Sequence, residues 1–407
     1  MRGGRPSGLA RLVVASGLSN LADGVFQITL ALVALGITRD PGAFATVTLV
    51  GRLPWLLLAL PAGALADRLD RRRTMVRVQL GRAALIGALA AVVAGDREEL
   101  WILYLVAAGL GTGEVLFDTA AQAIVPAVVA DPDDLTRANS RLFAVELTAN
   151  AFVGPPLGGF VAGLTLVGAL TGSAVAYLAA AGCLLALTGS FRPVREGPPT
   201  RLGADVREGV TYLFRNRVLR TIAVCVGLGN LASTGTMALL PLFAVDPGPL
   251  GLTEGGFGLL LTSGAIGAVV MSPFVDRFAG AIGRARVLLL ATMAFPLFPL
   301  TLALTTSVPA AVAAGVLSGA MGVTFNVTAI TLRQRTVPDH LLGRVTAGHR
   351  TLAWGSMPLG AALAGLMGET VGLRTTFAVL AVAFAPAVPL LLRHVREADI
   401  AAAAPAP

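Results

Sequence analysis

Apolar residues run along this chain in stretches of about twenty, separated by short breaks rich in arginine, proline and glycine. A helix rises 1.5 Å per residue, so about 20 apolar residues cross a hydrocarbon layer of about 30 Å. Twelve such stretches can be marked. The first six cover 9–37, 42–66, 74–95, 100–125, 142–165 and 172–191; the second six cover 221–244, 256–275, 286–306, 309–332, 351–369 and 375–392. The pattern predicts an all-α integral membrane protein with twelve transmembrane helices. Arg2, Arg5 and Arg11 precede the first stretch, as in a secretory signal. That stretch is too long for a signal core and lacks a clear small-residue cleavage site, so it reads as an uncleaved first span.

The domains follow from these breaks: a six-helix bundle over 1–191, a linker over 192–220, a second bundle over 221–393 and a disordered tail over 394–407. The linker opens with Arg192-Pro193-Val194-Arg195-Glu196-Gly197-Pro198-Pro199, a loop by composition. Val206, Val210, Phe214 and Val218 then recur every four residues with Arg207, Arg215 and Arg217 between them, which predicts an amphipathic helix on the inner membrane surface.

The two sets of six repeat each other. Gly17-Leu18-Ser19-Asn20-Leu21-Ala22 recurs as Gly227-Leu228-Gly229-Asn230-Leu231-Ala232, Asp67-Arg68 as Asp276-Arg277, Phe117-Asp118 as Phe325-Asn326, and Pro156-Leu157-Gly158 as Pro358-Leu359-Gly360. Four matches in order, each in the corresponding stretch, imply duplication. Six is an even number of crossings, so both bundles enter the membrane in the same sense and the repeat is parallel.

Composition narrows the function. Apolar residues make up 55% of the chain and charged residues 13%, with a mean hydropathy of +0.77, which excludes a disordered chain and disfavours a soluble enzyme. All 31 basic residues are arginine. Without lysine there is no P-loop and no Schiff-base chemistry. Three scattered histidines and two cysteines inside apolar runs, Cys183 and Cys225, give no metal or disulfide framework, so no cofactor is expected. The net charge of +8 points to topology rather than nucleic acid. With both termini cytoplasmic, only Arg39, Arg97 and Arg374 face outward and Arg52 and Arg82 lie within spans, leaving the other 26 inside.

Gly63-Ala64-Leu65-Ala66-Asp67-Arg68-Leu69-Asp70-Arg71-Arg72-Arg73 resembles the signature loop of the major facilitator superfamily. Gly154-Pro155-Pro156-Leu157-Gly158-Gly159 resembles the antiporter motif of that superfamily's drug/proton exporters, although Asn150 stands where a glycine is usual. The Arg52–Trp55, Glu114–Thr119 and Val337–Gly360 segments are similar to the branch of siderophore and macrolide exporters. The resemblance implies two parallel six-helix repeats, alternating access by a rocker switch, and a gating loop of Gly63, Asp67, Arg68, Arg71 and Arg72, with Asp276 and Arg277 in the second repeat. In that loop Asp67 would cap a neighbouring helix when the inner side is closed, while the arginines also serve plain topology. It further implies that Gly154, Pro155, Gly158 and Gly159 bend the fifth span and expose bare backbone where other spans can pack and seal against leak; general helix packing is the plainer alternative.

Ionisable groups at bilayer depth are expensive and mark pathways or paired structure. Six occur, all in the first repeat: Asp23, Arg52, Arg82, Glu114, Asp118 and Glu146. Counting residues from the span ends puts Asp23, Arg52 and Glu114 at roughly 18–21 Å and Arg82 with Asp118 at roughly 12 Å. Asp23 or Glu114 is therefore expected to exchange a proton as Arg52 changes partners, and Arg82–Asp118 to form a second pair; a permanent ion-pair lock is the alternative. Asn20, Phe26, Phe117, Asn230, Phe325 and Asn326 are the expected cavity residues. Four acids against two arginines suit protons, cations or neutral amphiphiles.

The leading reading is a monomeric proton-driven exporter of small amphipathic drugs or natural products in a prokaryotic plasma membrane, with protons and lipids as its other partners. Uptake, or lipid or siderophore transport by the same fold, is one alternative. A membrane-embedded lipid-processing enzyme is another, but Asp131, Asp133 and Asp134 are its only acidic cluster.

Overall fold

A computed structural model describes residues 8–66, 69–129, 134–187, 191 and 202–397. In the first repeat α1 (Gly8–Ile37), α2 (Pro41–Ala66), α3 (Arg71–Ala94) and α4 (Leu100–Val128) are continuous. The fifth span is composite: α5 (Leu135–Glu146), a π-helix (Leu147–Val153) and α6 (Gly154–Leu164), followed by α7 (Leu166–Leu185). The helix α8 (Leu202–Arg215) precedes α9 (Arg217–Ala244). The eighth span is α10 (Glu254–Met271), a 3-10 turn (Ser272–Phe274) and α11 (Val275–Ile282). The ninth is α12 (Arg284–Ala294) with α13 (Leu297–Leu304); then come α14 (Val308–Thr336), α15 (Asp339–Val371), and α16 (Leu373–Val382) with α17 (Ala387–His394).

Eleven of these spans are long and apolar enough to cross a membrane. The remaining one is α15, whose apolar stretch is diluted by Thr351, Trp354, Ser356, Pro358 and four glycines. Capping side chains set several starts: Asp70 accepts from Arg73 N–H, Thr165 from Gly168 N–H, Asn216 from Val218 and Leu219 N–H, and Ser307 from Ala310 N–H. The Thr165 cap starts the sixth span at 166, six residues before the 172 expected from hydropathy alone. Breaks in the second repeat follow Pro296 and Pro386, which lack the N–H a continuous helix needs.

By contact, the described residues fall into two units. One comprises those of Met1–Arg39, Val50–Gly197 and Leu252–Thr262; the other those of Asp40–Leu49, Pro198–Gly251 and Ser263–Pro407. Each contains a core built from equivalent positions. In the first, Leu12, Ala15, Phe117 and Ile124 pack with Met75 and Leu184. In the second, Ile222, Cys225, Phe325 and Leu332 pack with Leu288 and Leu391. These pairs keep the spacing of the repeated motifs, so the duplication extends into the buried packing.

The helix α8 does form, and it packs on α15. A Cβ on Gly209 would collide with the Arg344 carbonyl, one on Gly348 would come within 2.9 Å of Val210, and Leu213 is buried with Val337 and Val345. Of the apolar stripe marked in the sequence, Phe214 is 42% exposed, while the neighbouring Leu213 lies inside. Of the tail expected to be disordered, residues 395–397 are described and packed: Val395 is buried, and Glu397 Oε1 accepts from Ala285 N–H at 2.7 Å, capping α12. The Arg192–Pro199 loop and residues 398–407 lie outside the described residues.

Candidate functional site

Three helices of the first unit meet at Asp23. It sits on the buried face of α1 that carries Ser16, Ser19 and Asn20, a spacing of three and four that aligns one side of a helix. Opposite it, the buried stripe of α3 runs Met75, Gln79, Arg82, Ile86, Leu89. From α7 comes Tyr177. Asp23 Oδ1 lies 2.5 Å from Arg82 Nη2 and accepts from the Tyr177 hydroxyl at 2.5 Å; Arg82 Nη1 reaches Ser19 Oγ at 3.4 Å. The guanidinium carbon stands 4.7 Å from the Tyr177 ring centroid. Arg82 is 2% exposed and Tyr177 0%, so this charge pair is enclosed. An enclosed pair is costly to build, and removing one partner leaves the other uncompensated.

A second ion pair is more open. Arg52 Nη1 and Glu114 Oε1 lie 3.5 Å apart, with side chains 30% and 29% exposed. The pair is set by a crossing of α2 and α4 so close that a Cβ on Gly111 would strike the Gly51 carbonyl. Asp118, one turn along α4, is half-buried, and Glu146 is exposed.

Pairing by depth is thus corrected for Arg82, which takes Asp23 rather than Asp118; Arg52 takes Glu114, one of the two acids expected at its level. The helix α3 starts three residues earlier than its apolar run, which lifts Arg82 by about 4.5 Å. The remaining gap is within an arginine's reach, and the buried stripe of α3 fixes its direction. Sequence reasoning missed Tyr177, Ser19 and Gln79. A phenolic hydroxyl inside an apolar run was the available signal, because a buried tyrosine needs a partner for its O–H.

The second repeat fills the equivalent places differently. Arg82 lies eleven residues after Arg71, where α3 begins; Phe295 lies eleven after Arg284, where α12 begins. Tyr177 lies eleven residues into its span from Leu166, and Phe384 eleven from Leu373. Phe295 and Phe384 stack at 5.3 Å between centroids, 9° from parallel. Ser19 contacts Arg82, and its repeat partner Gly229 adjoins Phe384. At the place of Asp23 stands Ser233.

The glycine–proline motif opens α6 directly after the π-helix. Gly154 N–H reaches back to Ala149 O, a wider turn than an α-helix makes. A Cβ on Gly154 would lie 2.7 Å from Gly24 Cα, and one on Gly159 would strike the Glu254 carbonyl at the start of α10. Asn150, the departure from the motif, donates to Asn20 Oδ1 at 3.4 Å from within the π-helix.

Of the gating loop, Gly63 lies within the last turn of α2, and Asp67 and Arg68 lie outside the described residues. Arg71 Nη1 binds Ala123 O at 2.7 Å near the end of α4. Arg72 binds Leu187 O and Arg11 binds Ala186 O, both at the end of α7. These cations meet the negative ends of helix dipoles. Asp276 and Arg277 are exposed at the start of α11.

The cavity expectation is corrected for most of its residues. Phe117 and Phe325 are each 2% exposed inside the two cores, Phe26 is 6% exposed, and Asn20 is buried beside Asn150. Asn230 is half-buried and donates to Ala353 O at 2.6 Å, and Asn326 is exposed. Among the described residues no three His, Cys, Asp or Glu gather where a metal could be held.

Residues 6–406 match the family described as transmembrane secretion effector. The chain is 31% identical over 381 residues to the multidrug efflux pump Tap of Mycolicibacterium fortuitum, spanning 87% of this chain and 88% of that protein. In fold it is similar to the nucleoside transporter NupG, with a TM-score of 0.75, 14% identity and coverage of 96% and 100%. It is also similar to a bacterial homologue of ferroportin in an inward-facing state, with a TM-score of 0.72, 19% identity and coverage of 95% and 98%.

Proposed function

From its membership in the transmembrane secretion effector family, an exporter branch of the major facilitator superfamily, we propose that this multi-pass membrane transporter expels small amphipathic drugs or natural products in exchange for protons. The observation that carries the reading is the enclosed Asp23–Arg82 pair with Tyr177, at a place where the second repeat holds only Ser233 and two phenylalanines. A carboxylate whose counter-ion is buried beside it changes the local charge balance when it takes a proton, and so can bias a two-state helix packing.

The open Arg52–Glu114 pair is the second coupling element. Its partial exposure suits a group that trades partners as substrate enters. With two arginines neutralising Asp23 and Glu114, Asp118 and Glu146 leave the first unit's span region negative, which favours cationic or neutral amphiphiles over anions. The relatives named multidrug efflux pumps support export. The π-helix and the Gly24–Gly154 contact supply a place where the fifth span can repack as access alternates. Both termini are cytoplasmic in this reading, as the arginine distribution expects.

The test is transport by the purified protein in liposomes with an imposed pH gradient and a panel of amphiphiles. Substrate should move against the proton flow, and Asp23→Asn should abolish the response to the gradient. If gradients in either direction leave the movement of every ligand that binds unchanged, proton exchange is wrong.

A further inference from the structure

Beside the Asp23–Arg82–Tyr177 set, α3 carries a group that this pairing does not use. Gln79 is 0% exposed, and neither its Nε2 nor its Oε1 has a hydrogen-bond partner; the Arg82 Nε is buried and has none either. Buried side-chain amides are nearly always satisfied, so an orphan of this kind calls for an explanation. Gln79 and Arg82 are three residues apart on the same buried stripe, which makes them neighbours with Cβ atoms about 5–6 Å apart. An unused neutral acceptor therefore sits one turn from a guanidinium whose present acceptor is a titratable carboxylate.

We propose that Gln79 is a positioning residue, the alternative acceptor to which Arg82 turns when Asp23 is protonated. The inference rests on the reading that Asp23 is a proton-coupling group. One proton is added to an Asp23 oxygen, Arg82 keeps its charge, and Gln79 Oε1 takes the guanidinium N–H that the carboxylate releases. Tyr177 holds Asp23 in place in both states through its hydroxyl. Other charged groups act on this set from neighbouring helices: Glu114 and Asp118 from α4, with Arg52 of α2 paired to Glu114. Of these, Glu114 is engaged with Arg52, whereas Gln79 has no hydrogen-bond partner and shares the buried stripe of α3 with Arg82. In the second repeat Thr292, eight residues after Arg284 as Gln79 is after Arg71, is also buried without a side-chain partner. There its neighbour is Phe295, which carries no charge to redirect.

The experiment measures, for the full chain in liposomes, the pH of half-maximal gradient-driven transport, with gradient-free substrate exchange as the check on folding. Gln79→Leu removes the acceptor and disfavours protonated Asp23, so the midpoint should move to lower pH by about one unit, a tenfold change in protonation. Gln79→Glu supplies a stronger acceptor and should move it to higher pH. Opposite shifts with exchange retained support the proposal; a wild-type midpoint in both variants, or shifts in one direction, overturns it. Where Gln79→Leu loses exchange, Gln79→Glu decides alone, and a midpoint that is unchanged or lowered overturns the proposal. Asp23→Asn separates the two levels. If that variant keeps the full pH response, the Asp23 reading falls and the Gln79 role with it. If it loses the response while both Gln79 variants match wild type, only the Gln79 role falls.

Discussion

In the first unit three polar side chains fasten α1, α3 and α7 at one point, while in the second two stacked phenylalanines occupy the matching positions of the ninth and twelfth spans, just past the ends of α12 and α16. The cores on the side of the helix starts are alike in both, down to the paired phenylalanines Phe117 and Phe325. One duplicated frame has thus kept its packing and diverged in its interior chemistry. A polar junction holds or loses strength according to whether a proton is present. An aromatic junction carries no titratable group and lends shape alone; helix breaks at Pro296 and Pro386 lie nearby.

The strongest way to break this contrast is to erase it. The triple variant Asp23→Ser, Arg82→Phe, Tyr177→Phe writes the second unit's residues into the first. It should fold, because apolar replacement of a whole buried ion pair is often neutral or stabilising. Its transport should no longer respond to a pH gradient; a retained response would show that the junction is not the coupling element. Arg82→Leu alone should be worse for stability than the triple change, by about 3–5 kcal/mol, because it strands a buried carboxylate. Thermal unfolding in detergent compares the two. Phe384→Ala should cost the second unit about 3 kcal/mol by cavity formation and leave the pH midpoint of transport unchanged. Glu114→Gln breaks a half-exposed pair and should change unfolding by less than about 1 kcal/mol, although transport rate should fall. Equal destabilisation by Arg82→Leu and Glu114→Gln would erase the distinction between an enclosed pair and an open one.

Much of the fold was legible in the chain because hydrocarbon demands long apolar helices with satisfied backbones. The six charges within the apolar stretches of the first repeat could be picked out for the same reason. Their pairing was not legible. Residue counting gives depth along each helix but neither the exact start of α3 nor the direction in which Arg82 points. Tyr177 escaped notice because its ring reads as one more aromatic in an apolar run, and only the three-dimensional meeting of α1, α3 and α7 gives its hydroxyl a purpose. The cavity residues failed on a related ground. Repeat symmetry identifies equivalent positions, and for Phe117 and Phe325 that equivalence belonged to two cores rather than to a lined space. The contact of the linker helix with α15 was not legible, because it depends on the close approach that Gly209 and Gly348 permit, with Val210 and Leu213 turned inward and Phe214 exposed.

The arginines that close helix ends bear on how such a machine can be tuned. Arg11, Arg71 and Arg72 hold carbonyls at the ends of α4 and α7, and the chain has no lysine anywhere. A guanidinium keeps its proton at any pH a cell meets, whereas an ammonium pressed against a low-dielectric layer can shed it. The frame is therefore a fixed-charge chassis, indifferent to acid or alkali. A change of acidity would act on the carboxylates and histidines while the clamps at these helix ends keep their charge.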